Sequence, residues 1–199
     1  MFAMAGLRER KKHATRKAIH DAGMRLFAEH GFAGTTMEQI AEAADVSRAT
    51  VFTYFPSKED IVFGDAPLAI AALGEQLRGA PATIAGVRDW LRPLTGWMEP
   101  DLLVQRRLAL EVPAIGARRA QLHRQVELIV GDAFAAELGP GRELAARLTA
   151  AALVAALRVA EDAAAARIER DGGSLTPEEI DAILDATAAF AEAGLATQV

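Results

Sequence analysis

Between Thr35 and Pro56 the chain reads TTMEQIAEAADVSRATVFTYFP, a segment that can be built only from short helices. Thr35 with Glu38 three residues on has the spacing of a capping box, which opens a helix. Ser47 supplies a second hydroxyl cap only a dozen or so residues later, and Pro56 disfavours a helical residue before it. Ser57 with Asp60 then caps a third start. The spacing therefore predicts two helices of about two turns, separated by a tight turn at AADV, and the beginning of another.

Upstream, Ala18, Ile19, Ala22, Leu26 and Phe27 recur at helical spacing and predict a long helix over 10–30, ended by Gly31 and a hydrophobic contact from Phe32. Downstream, GDAP, GAPA, LGPG and DGGSLTP punctuate predicted helical runs near 68–78, 83–98, 101–111, 114–138, 142–170 and 177–195. No stretch alternates as a strand would. The expected fold class is all-α, with an N-terminal three-helix bundle over 1–60 and a larger helical domain over 61–199.

Charge is divided unevenly along the 199 residues. Residues 1–60 hold nine Lys/Arg against eight Asp/Glu, and 61–199 hold thirteen against nineteen. All four lysines lie in the first part, and Arg8 to Lys17 contains six cations and one anion. A basic N-terminal surface on an acidic body points to a polyanionic partner. The chain has no cysteine, which excludes thiol redox sensing and thiolate metal sites and fits a cytoplasmic location. No apolar run is long enough to span a membrane, and the N-terminal charges are placed in the reverse of a secretory signal, so a soluble protein is expected.

Two short helices around a tight turn match a helix-turn-helix, whose second helix enters the DNA major groove by its N-terminal end. Val46, Val51 and Phe55 fall on the face that packs on Ile40, Ala41 and the first helix. Arg48, Ala49, Thr50 and Thr53 then face outward, next to the cap Ser47. Arg48 can donate two hydrogen bonds to guanine, and Ala49 and the threonine methyls can meet thymine methyl groups. Thr36, Tyr54 and Lys58 are placed for phosphate.

The segment GFAGTTMEQIAEAADVSRATVFTYFPSKEDI, preceded by TRKAIHDAGMRLFAEH, resembles the N-terminal DNA-binding domain of the TetR family of bacterial transcriptional regulators over about residues 12–62. The resemblance implies a two-fold dimer on a palindromic operator, a helical C-terminal domain holding a small-molecule effector, and repression relieved when that effector binds. It places Thr36, Arg48, Thr50, Thr53, Tyr54 and Lys58 on operator-contacting positions. Three residues depart from the family pattern. Asp45 replaces a turn glycine but tolerates a left-handed conformation. Ala49 replaces a common glycine, and Phe52 stands where tyrosine is frequent, so one phosphate-bonding hydroxyl is absent.

In the body, Leu144, Leu148, Ala151, Ala155 and Val159, and then Ile180, Ile183, Leu184, Thr187 and Phe190, form two helical stripes. They either complete the monomer core or build a four-helix homodimer interface through the last two helices. The dimer is favoured because one helix-turn-helix reads too few bases alone. Trp90, Leu94, Trp97, Met98, Leu103, Leu110, Ile115 and Val126 suggest an apolar effector lining, with Arg107, Glu111 and His123 as polar anchors; a lipophilic effector follows. His123 and Glu127, four apart, read as a salt-bridged or solvated pair rather than metal ligands. No catalytic fingerprint is present, so neither enzymatic activity nor a cofactor is expected. The alternative is a helical DNA-binding or protein-interaction module without a small-molecule ligand.

Overall fold

The computed structural model describes residues 2–79, 81–172 and 176–196, with side chains described outside 2–9, 91–100, 195 and 196. Among the described residues all regular structure is helical. The elements are α1 (Phe2–Gly34), α2 (Met37–Ala43), α3 (Arg48–Tyr54), α4 (Lys58–Val62), α5 (Ala66–Gly79), α6 (Ile84–Glu111), α7 (Pro113–Leu138), α8 (Glu143–Asp171) and α9 (Pro177–Ala196). No described helix is long and apolar enough to cross a membrane. The expected break between 98 and 101 is absent from the backbone: α6 continues through Pro93 and Pro100, each of which forgoes one helical hydrogen bond.

The chain falls into two compact units. The first runs to Ala66 and includes Arg107–Arg118; the second comprises Pro67–Arg106 and the chain from Arg119 onward.

In the first unit α1 packs on α2 and α4, and α2 on α3. The buried face of α1 is Ile19, Ala22, Met24 and Phe27, whereas Ala18, expected on that face, is exposed. Helical periodicity places Ala18 between the two faces, and the larger Ile19 takes the inward position. Ile40, Ala41, Val51, Phe55, Ile61 and Val62 complete the core, joined by the fully buried Leu108 and Ile115. Gly23 lets α1 and α4 approach closely, because a Cβ there would stand 2.5 Å from Ile61 Cγ2. Gly31, at φ 73°, interrupts α1 where its end is expected, and the Phe27 and Phe32 rings meet with centroids 5.2 Å apart.

The caps differ from expectation at one position. Thr36, not Thr35, is the N-cap of α2, and its capping box is closed by Gln39 rather than Glu38. Thr35 is instead buried, its hydroxyl donating to the carbonyls of Leu26 at 3.2 Å and Gly31 at 2.9 Å. Ser47 caps α3 and Ser57 caps α4 as the spacing predicts. The turn between α2 and α3 contains Asp45 at φ 53°, the left-handed conformation that aspartate tolerates.

Arg16 ties these pieces together. Its Nε donates to Asp65 Oδ1 at 2.5 Å, Nη1 to the Tyr54 carbonyl at 2.6 Å and Nη2 to the Gly64 carbonyl at 2.8 Å, while the guanidinium lies 4.1 Å from the centre of the Phe55 ring. The helix begun at Ser57 breaks after Val62. Gly64 adopts φ 49°, and α5 restarts at Ala66 with Pro67 in its first turn, where a missing N–H costs least.

In the second unit Leu73, Ile84, Val87, Val130, Phe134, Ala146, Ala150, Leu153, Ala188 and Ala191 form one buried cluster. The face that α8 buries is Ala145, Ala146, Thr149, Ala150, Leu153 and Val154. The stripe singled out in the sequence lies elsewhere: Leu144, Leu148 and Val159 are 70%, 48% and 65% exposed, and Phe190 of α9 is 63% exposed. Leu184 and Thr187 of the second stripe are buried.

A charged cluster joins α7 to α8. Arg119 Nη2 donates to Glu161 Oε2 at 2.7 Å, and His123 Nε2 stands 3.5 Å from the same oxygen. Burial alone would push the Glu161 carboxyl up, but the hydrogen bonds and charges of His123 and Arg119 outweigh it and hold the group below the usual glutamate range.

Two outcomes follow for stability. Gly23→Ala should destabilise by about 1–3 kcal/mol through overpacking, more than the roughly 1 kcal/mol that alanine gains in helix propensity. Combined with Ile61→Ala, the loss in a denaturant titration should be smaller than the sum of the two single losses; strict additivity contradicts the close approach. Because the folded pKa of Glu161 is depressed, its stabilisation is complete above the unfolded value of about 4.3 and is lost as pH falls through the folded one. Glu161→Gln should therefore be less stable at neutral pH, and its melting temperature should fall less steeply than the wild type's below about pH 4.3. Parallel curves would exclude the coupling.

Candidate nucleic-acid interface

The first unit presents α3 with its two faces sorted by burial. Val51 is fully buried within the helix and Phe55, the C-cap, is fully buried at its end. Arg48, Ala49, Phe52 and Thr53 are exposed, and Thr50 and Tyr54 are half-buried. This is the division that the helix-turn-helix reading requires. The N-terminal end is held by Ser47, whose Oγ accepts from the Thr50 amide at 3.0 Å and lies 2.8 Å from the Thr50 hydroxyl. Thr53 turns its hydroxyl back to the Ala49 carbonyl at 2.9 Å, which leaves its methyl as the distinctive outward group.

Arg48 is engaged within the domain. Its Nη1 lies 2.8 Å from Glu38 Oε1 of α2, and its guanidinium carbon lies 5.4 Å from the centre of the Phe52 ring. The Glu38 contact occupies Nη1, and the Nε–Nη2 edge retains the two-donor geometry that pairs with guanine.

Lys58 is more committed than its place in the sequence suggests. Its ammonium donates to the carbonyls of Phe32 at 2.7 Å and Thr35 at 2.8 Å and stands 4.4 Å from the Phe32 ring centre. Two of its three N–H groups thus fasten the last turn of α1 and the residue that follows it, and one remains for a phosphate. Thr36, by contrast, is exposed, and its hydroxyl oxygen accepts the Gln39 amide. Of the basic N-terminal run, Arg10, Lys11 and Lys12 are exposed, Lys17 pairs with Asp21 at 2.6 Å, and Arg16 turns inward.

The candidate effector anchors are distributed between the units. Arg107 and Glu111 are exposed and belong to the first, where Arg107 Nη2 reaches the Phe27 carbonyl at 3.5 Å. His123 is half-buried in the second, beside Glu161 and Arg119, while Glu127 pairs with Arg124. Leu110, placed in the apolar lining by its sequence position, is exposed. Trp97, Met98 and Leu94 lie outside the described side chains.

Sequence reasoning missed Arg16 and Glu38 as parts of this site. Arg16 sits inside a run of cations and carries no local mark of burial. Glu38 signals only a helix start, and its proximity to Arg48 arises from the angle between α2 and α3.

Comparison with known proteins agrees with this geometry. The description "Bacterial regulatory proteins, tetR family" matches residues 19–63. The HTH-type transcriptional regulator RutR of Escherichia coli K12 is 39% identical over 94 residues, covering 47% of this chain and 41% of RutR; the matched region therefore spans about two-fifths of that relative. A TetR-family transcriptional regulator from Mesorhizobium loti superposes with a TM-score of 0.53 at 25% identity, over 92% of this chain and 96% of the other. The repressor FadR of Thermus thermophilus, solved in complex with lauroyl-CoA, shares the fold with a TM-score of 0.52 at 23% identity, over 90% of this chain and 94% of its own. Residues 19–63, which hold the helix-turn-helix, thus match the tetR family of bacterial regulatory proteins, and the chain shares the all-helical fold of TetR-family regulators.

Proposed function

We propose that this protein is a ligand-responsive DNA-binding transcriptional regulator that acts in the cytoplasm as a homodimer on a palindromic operator. It works as a repressor, released when a small lipophilic effector binds the C-terminal domain. The observation that carries the reading is the sorting of α3, with Val51 and Phe55 buried and Arg48, Ala49 and Thr53 exposed at a capped helix start. Residues 1–60 form the DNA-binding domain in this reading, and 61–199 bind effector and dimerise. Arg48 reads a guanine, Ala49, Thr50 and Thr53 offer methyl contacts, and Thr36, Ser47, Tyr54 and Lys58 face the phosphate backbone.

Dimerisation through α8 and α9 is supported by the exposed Leu144, Leu148, Val159 and Phe190, an apolar set that a monomer leaves in water. A two-fold pair places two α3 helices on two half-sites, doubling the sequence that is read. The effector reading is supported by the relative solved with lauroyl-CoA and by the apolar character of the second unit. Among the anchors, His123 is the one set in a partly buried polar cluster; Trp97 and Met98 complete the proposed lining. An effector that favours the conformation with weaker DNA affinity would lower operator binding by roughly 5- to 150-fold, and DNA would weaken effector binding equally.

Selection of bound sites from random DNA should yield a palindrome, and affinity for it should fall steeply as salt rises because phosphate contacts release counterions. Arg48→Ala should lose about 1–3 kcal/mol of discrimination at one base pair per half-site. Uniform weakening across all sequences would reassign Arg48 to a phosphate contact. Leu148→Glu should yield a monomer by sedimentation with little operator affinity, since an unpaired carboxylate in a dimer core is heavily penalised; a dimer of unchanged stability would remove α8 from the interface.

A further inference from the structure

Phe52 and Glu38 have no part in the contacts assigned above, yet both touch the residue assigned to read a base. Arg48 occupies the first position of α3, where the positive end of the helix dipole opposes a cation. Its own helix therefore gives it no reason to be ordered there. What surrounds it is Glu38, from the first turn of α2, at 2.8 Å from Nη1, and the Phe52 ring one turn further along α3, with its centre 5.4 Å from the guanidinium carbon. Phe52 is 41% exposed, so its aromatic face is not required to fill the core.

An exposed ion pair or an exposed cation–π contact contributes little to stability by itself. Their effect on recognition is different. A free arginine loses rotamer freedom when fixed on a base edge, and one already held from two directions loses less. The two contacts also constrain different motions: the ring limits displacement towards the helix surface, and the carboxylate fixes the guanidinium laterally by one N–H while sparing the Nε–Nη2 edge.

We propose that Phe52 and Glu38 are positioning residues that set base specificity by holding Arg48 in its reading geometry, so that the phenyl ring at position 52 serves as a shelf for the guanidinium. The inference rests on the DNA-binding reading above. The shelf needs only the ring, so a hydroxyl at position 52 is not required for it. Glu38 carries a charge that repels the DNA backbone, so its contribution is to discrimination at some expense of general affinity.

The test uses the full chain and four variants, Arg48→Ala, Phe52→Leu, Phe52→Tyr and Glu38→Gln, with the double variant Arg48→Ala/Phe52→Leu. Each is measured by competition between the selected site and its single-base-pair changes. Phe52→Leu should reduce discrimination at the base pair sensitive to Arg48→Ala by about 2- to 5-fold, with an unchanged slope of affinity against salt and an unchanged melting temperature. In the Arg48→Ala background it should have no further effect on that base pair. Phe52→Tyr, which keeps the ring, should preserve the discrimination. Glu38→Gln should raise affinity for altered sites more than for the selected one. The proposal is overturned if Phe52→Leu weakens all sequences alike, if its effect persists at full size without Arg48, or if Glu38→Gln leaves the ratio of affinities unchanged. Failure of the wild-type chain to enrich any sequence would overturn both this inference and the DNA-binding reading, and is distinguishable from the other outcomes because it precedes them.

Discussion

The guanidinium of Arg16 is the contact on which the geometry of the first unit depends. Helices α2, α3 and α4 are seven, seven and five residues long, too short to persist by their own hydrogen bonds once nucleation is counted. They are held by what they pack against and by how their ends are satisfied. The start of α3 is satisfied by Ser47. At its other end the carbonyl of Tyr54 is one of the groups a helix leaves without a partner, and Arg16 supplies both the hydrogen bond and the positive charge that this end favours. The same planar fork reaches Gly64 and Asp65, and its face covers Phe55. A lysine, with a single point of charge, could not make these contacts together.

In the proposed DNA-binding reading, fixing both ends of α3 matters because a reading helix must present Arg48 in one orientation. Buried apolar side chains at Val51 and Phe55 set the rotation of the helix about its axis, and Ser47 and Arg16 set its position along that axis. Glu38 and Phe52 then contact Arg48 at the exposed end. Core packing, end capping and surface contacts thus constrain successively smaller parts of the same element.

Much of this was legible in the sequence because it is local. Ser47 and Ser57 lie at caps, Pro56 follows the end of α3, and Asp45 takes the left-handed turn that its short side chain permits. Thr35 and Thr36 show where local pattern fails. Each has a capping partner three residues ahead, Glu38 or Gln39, and the choice is made by burial of Thr35 against the end of α1. The contacts of Arg16 and Lys58 were not legible for the same reason, since their cationic heads turn to carbonyls brought close only by the fold. In α8 the ambiguity is compositional. A helix rich in alanine is apolar on several faces, so the Leu144–Leu148–Val159 stripe and the truly buried Ala146–Ala150–Leu153 face have equal claim until the neighbours are known.

The break at Gly64 changes how motion could reach the recognition helix. A continuous rod from Ser57 through α5 would transmit rotation along its own backbone, but α4 is barely more than one turn and the chain bends at φ 49° before α5 begins. Side chains bridge the bend instead. Arg16 bonds to Gly64 and Asp65 on one side and to Tyr54 on the other, His20 Nδ1 lies 2.6 Å from the Ile61 carbonyl, and His13 Nε2 is 3.4 Å from Asp65. Arg118, on the other stretch of this unit that runs on into the second, stands 3.5 Å from Asp60 of α4. The chain at Asp65 is therefore joined to the end of α3 through one guanidinium rather than through a helix axis. Such a link is short, directional and dependent on hydrogen bonds whose strength falls quickly with distance.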